Sequence, residues 1–119
     1  MTVEDLEGTF TILGSNQDNS EQEYKGTLQL DVDVNKRIQA KWLINNTQEQ
    51  FGSGFFKDNI LVINFYYVGA EQYKLKGVVV YRVLSPDLLD GFWSEKYGDP
   101  LFLGTERGFR VTSKPTVIN

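Results

Sequence analysis

Apolar and polar residues alternate with the period of a β-strand along most of this chain. Over Tyr24–Val34, Leu28, Leu30, Val32 and Val34 share one face, and Gln29, Asp31 and Asp33 the other. Ile38, Ala40, Trp42 and Ile44 repeat the pattern against Gln39, Lys41 and Asn45. Further strands are predicted over Thr9–Leu13, Gln50–Phe56, Tyr73–Leu84, Leu88–Glu95 and Leu101–Val111. Turn formers separate them, including the run 14–20, Asn35-Lys36, the segment 45–48, Lys57-Asp58-Asn59 and Ser85-Pro86-Asp87. Helical periodicity is almost absent.

One strand breaks the alternation. Ile60–Val68 is apolar on both faces, and Val78–Leu84 repeats this more weakly. One set of side chains can fill a core. The other must meet a ligand, a partner chain or another part of the protein. The expected outer set is Leu61, Ile63, Phe65 and Tyr67, with Val78, Val80 and Leu84 beside it where the two strands pair. Its composition suits a protein interface, and a two-fold homodimer is the simplest use. The plainer alternative is an oversized core, with that face covered by the N-terminal segment or the tail.

The links between strands are too short for parallel crossovers, which require a dozen or more residues. The prediction is an all-β, antiparallel, eight-stranded up-and-down barrel, with a two-sheet sandwich as the rival. The chain of 119 residues suits one domain, with a core over about 8–111 and a loose tail over 112–119. Gly52 and Gly54 share a strand face, where glycine marks a bend or the close approach of a large side chain.

The order Gly8-Thr9-Phe10, Tyr24-Lys25-Gly26, Trp42, Gly52-Ser53-Gly54, Leu61-Val62, Val78–Val83, Leu89-Asp90-Gly91-Phe92-Trp93 and Gly104-Thr105-Glu106 resembles small bacterial domains, common in cyanobacteria, with a calycin-like (avidin- or lipocalin-like) barrel. The resemblance spans about Gly8 to Val111. It implies binding of a small apolar ligand or a protein partner, and it transfers no site residues.

Composition removes several chemistries. The chain has neither cysteine nor histidine, which excludes disulfides, thiolate and Ser-His-Asp catalysis and the commonest transition-metal ligand. A net charge of −4 without a basic stripe argues against nucleic acid. No run approaches the roughly 18 apolar residues of a membrane span. The acidic start has no signal-peptide pattern, which points to the cytoplasm. No cofactor is implied.

Trp42 and Trp93 are core braces or walls of a ligand cavity, with Tyr81 and Arg82 as its further candidate residues. Phe10, Phe55, Phe56, Phe92 and Phe109 add bulk, so the interior is expected to be filled or shallow. Arg82, Asn64, Glu95 and Glu106 interrupt apolar patterns, and Arg82 is expected to pair with Glu106 or Glu95 or to stand exposed, with contact to a ligand carboxylate as its functional reading. Asp31 and Asp33 read as a solvent face, and the sequon Asn45-Asn46-Thr47 as a chance match. Three functions follow in order: a protein-contact module, a carrier of a small apolar ligand, and an enzyme built on Asp, Glu and Tyr.

Overall fold

The computed structural model describes residues 1–18, 20 and 22–112. All but Thr112 of the predicted tail lies outside the described residues. Eight antiparallel strands run β1 (Gly8–Ser15), β2 (Glu23–Val32), β3 (Ile38–Ile44), β4 (Gln48–Lys57), β5 (Ile60–Val68), β6 (Lys74–Ser85), β7 (Leu88–Glu95) and β8 (Gly104–Arg110). Each pairs with the next, and β8 pairs back to β1, closing the barrel. Closure satisfies both edges of the sheet. The predicted β5 and β7 coincide with those found. The second strand stops at Val32 because Asp33 accepts the backbone N–H of Asn35 (2.9 Å) and of Arg37 (3.0 Å), which turns the chain and leaves Val34 exposed. Tight turns also form at Asn45-Asn46 and Asp58-Asn59, where all four residues have positive φ, the geometry that matches strand twist in short hairpins.

The two ends of the barrel differ. At the base, a 3-10 turn over Val3–Leu6 sends Leu6 into the core, where it is fully buried. Phe10, Leu30, Ile38, Leu61, Val83 and Leu89 belong to the same core. The Arg110 guanidinium closes this end. It donates to the carbonyls of Glu7 (2.6 Å), Asp5 (2.7 Å) and Pro86 (2.9 Å) and lies 4.7 Å from the Phe10 ring centre. At the opposite end the inward residues turn polar and aromatic, and the barrel stays open.

The phase of the two-faced strands is the reverse of the expected one. Leu61, Ile63 and Phe65 are buried, and Tyr67 packs against the same core. The outer face of β5 carries Ile60, Val62, Asn64, Tyr66 and Val68. Val78, Val80 and Leu84 do lie outside, while Val79, Tyr81 and Val83 point in. An apolar strand gives no period-two signal, so its neighbours set the phase. Here Leu61 faces Tyr81, and Ile63 faces Val79, across the ladder. Phe55, Phe92 and Phe109 are also outside, so the interior is less crowded than their presence suggested.

Small residues make room for the large ones. Phe65 lies between Gly52 and Gly77 on the neighbouring strands, and Trp93 lies beside Gly104. A Cβ at Gly77 would stand 2.4 Å from the Phe65 ring and 2.4 Å from the Ser94 carbonyl. Such glycines let the strands coil tightly enough to close. Gly77→Ala is therefore expected to cost about 1–3 kcal/mol in urea unfolding. A loss below about 0.5 kcal/mol would show that this packing is not tight.

Candidate functional site

Glu106 is 4% exposed and has no cationic partner among the described residues. Its position in the register supplies other partners. Tyr24, Gly14, Glu106, Gly91 and Tyr81 form one row across β2, β1, β8, β7 and β6. Each tyrosine reaches over a glycine to the carboxylate. A Cβ at Gly14 would stand 2.3 Å from the Tyr24 ring, and one at Gly91 would stand 2.7 Å from the Tyr81 ring. The Tyr24 hydroxyl donates to Glu106 Oε1 (2.7 Å). The Tyr81 hydroxyl donates to Oε2, and Trp42 Nε1 donates to the same oxygen (3.0 Å). Burial raises the Glu106 carboxyl pKa above the ordinary carboxylate range, while the three donors oppose the shift. Burial, and then the Glu106 charge, push both tyrosine hydroxyls upward, so both remain protonated donors.

Above this cluster lies a cavity of about 120 Å³. Trp42, Phe65, Tyr67 and Trp93 give it aromatic walls, and Glu106 lies among its lining residues. The Trp42 and Trp93 rings stand at 71° and 84° to Phe65, with centres 6.2 and 6.1 Å away. Tyr67 stacks on Phe65 at 6.5 Å and donates its hydroxyl to Glu95. Burial and that carboxylate raise the Tyr67 hydroxyl pKa. Gln48, Gln50 and Asn16 complete the polar side, and Gln50 Nε2 donates to Gln48 Oε1 (2.9 Å). Gln17 braces the rim: it accepts from the Glu95 backbone N–H (2.8 Å) and donates to Ser94 Oγ (2.9 Å). Trp93 Nε1 is buried with no hydrogen-bond partner among the described residues. It stands close enough to the Tyr24 hydroxyl to favour that group's ionised form slightly.

Of the residues predicted for a cavity, Trp42, Tyr81 and Trp93 face the interior together, and Arg82 does not. Arg82 is exposed on the outer face, across the ladder from Ile60 and Asp90, so it can pair with neither Glu106 nor Glu95. The pattern itself carries the reason: Tyr81 is inward, so its neighbour in sequence is outward. Sequence reasoning missed Tyr24, Phe65, Tyr67, Gln48 and Gln50 as cavity residues. The detectable signal was the cross-strand pairing of glycine with aromatics, which requires the register. Among the described residues, no group of three acidic side chains could hold a metal ion. No helix among them is long and apolar enough to cross a membrane.

No protein-family model and no curated protein matches the chain. Solved structures share its fold. The redesigned beta barrel b11L5F_LGL superposes with a TM-score of 0.69 at 16% identity, covering 93% of this chain and 96% of that one. The redesigned beta barrel mFAP0, bound to DFHBI, gives 0.65 at 20% identity over 89% and 99% of the two chains. For mFAP1, also bound to DFHBI, the values are 0.65 and 20% over 92% and 98%. At such identities the likeness is one of fold. This chain is a closed, eight-stranded, antiparallel up-and-down barrel of that kind.

The Glu106 cluster has a pH signature. Its carboxyl holds a proton more tightly in the folded state than in the unfolded one. Its contribution to stability is therefore greatest at low pH and falls as pH rises above the ordinary carboxyl value of 4.5. Glu106→Gln, which removes the titration, is expected to gain on the wild type in urea unfolding as pH is raised above 4.5. Glu106→Ala strands three buried donors and is expected to lose ~3 kcal/mol or more. A pH-independent difference between wild type and Glu106→Gln would contradict the assignment.

Proposed function

We propose that this protein is a non-enzymatic binding barrel that holds one small, compact ligand at its open end. The observation carrying this reading is the cavity between Trp42, Phe65, Tyr67 and Trp93. Engineered apolar cavities of about 150 Å³ bind a single benzene ring, so about 120 Å³ sets the scale at one ring or a small branched group. The aromatic walls supply apolar contact and the polar rim fixes orientation, the usual division in small-molecule sites. Barrels of the same fold, mFAP0 and mFAP1, hold the small ligand DFHBI, which supports this use of the architecture.

The buried carboxylate argues against catalysis by this site. Glu106 already accepts three hydrogen bonds, so it is placed to organise its neighbours rather than to exchange protons with a substrate. Native mass spectrometry of the protein from its own cell is expected to show one added small mass per barrel. Val79→Phe, which fills the cavity from its wall, should remove that mass. A barrel with no added mass that also binds nothing in an NMR screen of ring-sized compounds would overturn the reading.

A second reading, contact with another protein chain, rests on the outer surface. Phe55, Val62, Val80 and Phe92 form one apolar row across β4, β5, β6 and β7, with Phe55 58% exposed. This places the proposed contact on the opposite face of β5 from the residues first expected there. Sedimentation velocity should then show a wild-type dimer that Phe55→Asp converts to monomer. A monomeric wild type at about 100 µM, far above the Kd of a specific dimer, would remove this reading.

A further inference from the structure

We propose that the cavity selects a compact organic cation over neutral and anionic molecules of the same shape. The inference rests on the cavity being a ligand site and adds the sign of the ligand's charge. Three features of the walls carry it.

First, the charge of the lining is one-sided. Glu95 and Glu106 line the cavity, and no lysine or arginine does. Lys74 and Lys96, near this end of the barrel, lie over the rings of Tyr66 at 4.4 Å and Tyr97 at 5.3 Å. Both tyrosines are exposed, so these cations are held outside. Arg82 is outside as well. A buried carboxylate normally has a cationic partner. Here the protein supplies only neutral donors to Glu106, and an ionised carboxyl has about four acceptor positions against three donors present.

Second, the walls are aromatic. Trp42 and Trp93 both stand nearly perpendicular to Phe65, with Tyr67 stacked beside it. Aromatic faces attract a cation through their quadrupole, most strongly for tryptophan and when water is excluded. Aromatic walls give no comparable gain to a neutral group and disfavour an anion.

Third, the cavity is too small for a long chain or a fused ring system. A quaternary ammonium group on a short chain matches that scale.

The test compares three molecules of nearly equal shape: choline, 3,3-dimethyl-1-butanol and 3,3-dimethylbutanoate. The chain has two tryptophans, and both line the cavity. Their two indole N–H peaks in a nitrogen–proton correlation spectrum therefore report binding directly. Choline should move both peaks, with a Kd at least about tenfold below that of the alcohol, and the carboxylate should move neither. Glu95→Gln and Glu106→Gln, each confirmed folded by its own spectrum, should narrow the choline-to-alcohol ratio. If the alcohol or the carboxylate binds as tightly as choline, the charge preference is wrong while the cavity reading stands. If the ratio is unchanged in both variants, the carboxylates do not set the preference and the inference fails. If none of the three moves either indole peak, the inference fails, and the cavity reading falls with it only where ring-sized compounds also fail to bind.

Discussion

A carboxylate withdrawn from water costs several kcal/mol unless its oxygens are fully engaged. Glu106 meets that demand with Tyr24 from β2, Trp42 from β3 and Tyr81 from β6. The carboxylate sits on β8, so four strands converge on one group. Tyr24 and Glu106 straddle β1, while Tyr81 and Glu106 straddle β7. The hydrogen bonds therefore bridge the seam where the first strand meets the last. Strand pairing alone would close this barrel. The cluster adds a directional constraint, because the three donors meet only in one register.

That register also divides the interior into two halves. Below Glu106 the inward side chains are aliphatic or phenylalanine (Phe10 and Phe56), and Leu6 with Arg110 closes the end. Above it the same inward positions become Tyr24, Gln50, Tyr67, Trp93 and Glu95. Apolar burial in the lower half stabilises the fold, so the upper half can carry polar groups and open space. The glycines make this compatible with close packing. Tyr24, Phe65, Tyr81 and Trp93 each lie over a neighbouring glycine, which keeps the backbone close.

The architecture was legible because most strands alternate cleanly and the links are short. Ile60–Val68 and Leu88–Glu95 could be bounded to the residue. The facing of β5 was not, because both its faces are apolar and either phase fits a core. A weaker cue was present. Asn64 on β5, and Lys74, Lys76 and Arg82 on β6, each mark a solvent-facing parity, and each proves exposed. Reading Arg82 as a buried partner for glutamate set that cue aside. Trp42 and Trp93 were recognisable as inward aromatics. Tyr81 was named with them, but Tyr24 and the bonds of both tyrosines to Glu106 were not, because they meet it only once the register has placed Gly14 and Gly91 between them.

The clasp at the base has a further consequence. Arg110, the last residue of β8, holds the backbone of Asp5 and Glu7 just before β1 begins. The entry and exit of the barrel are thus neighbours at its sealed end, a full strand length from the open mouth. Joining them directly with a short linker and cutting the chain elsewhere would preserve every rung of the ladder. Any segment grafted before Gly8 or after Arg110 would likewise leave from the sealed side. The fold can therefore be tethered, fused or circularised without anything crossing the entrance to its cavity.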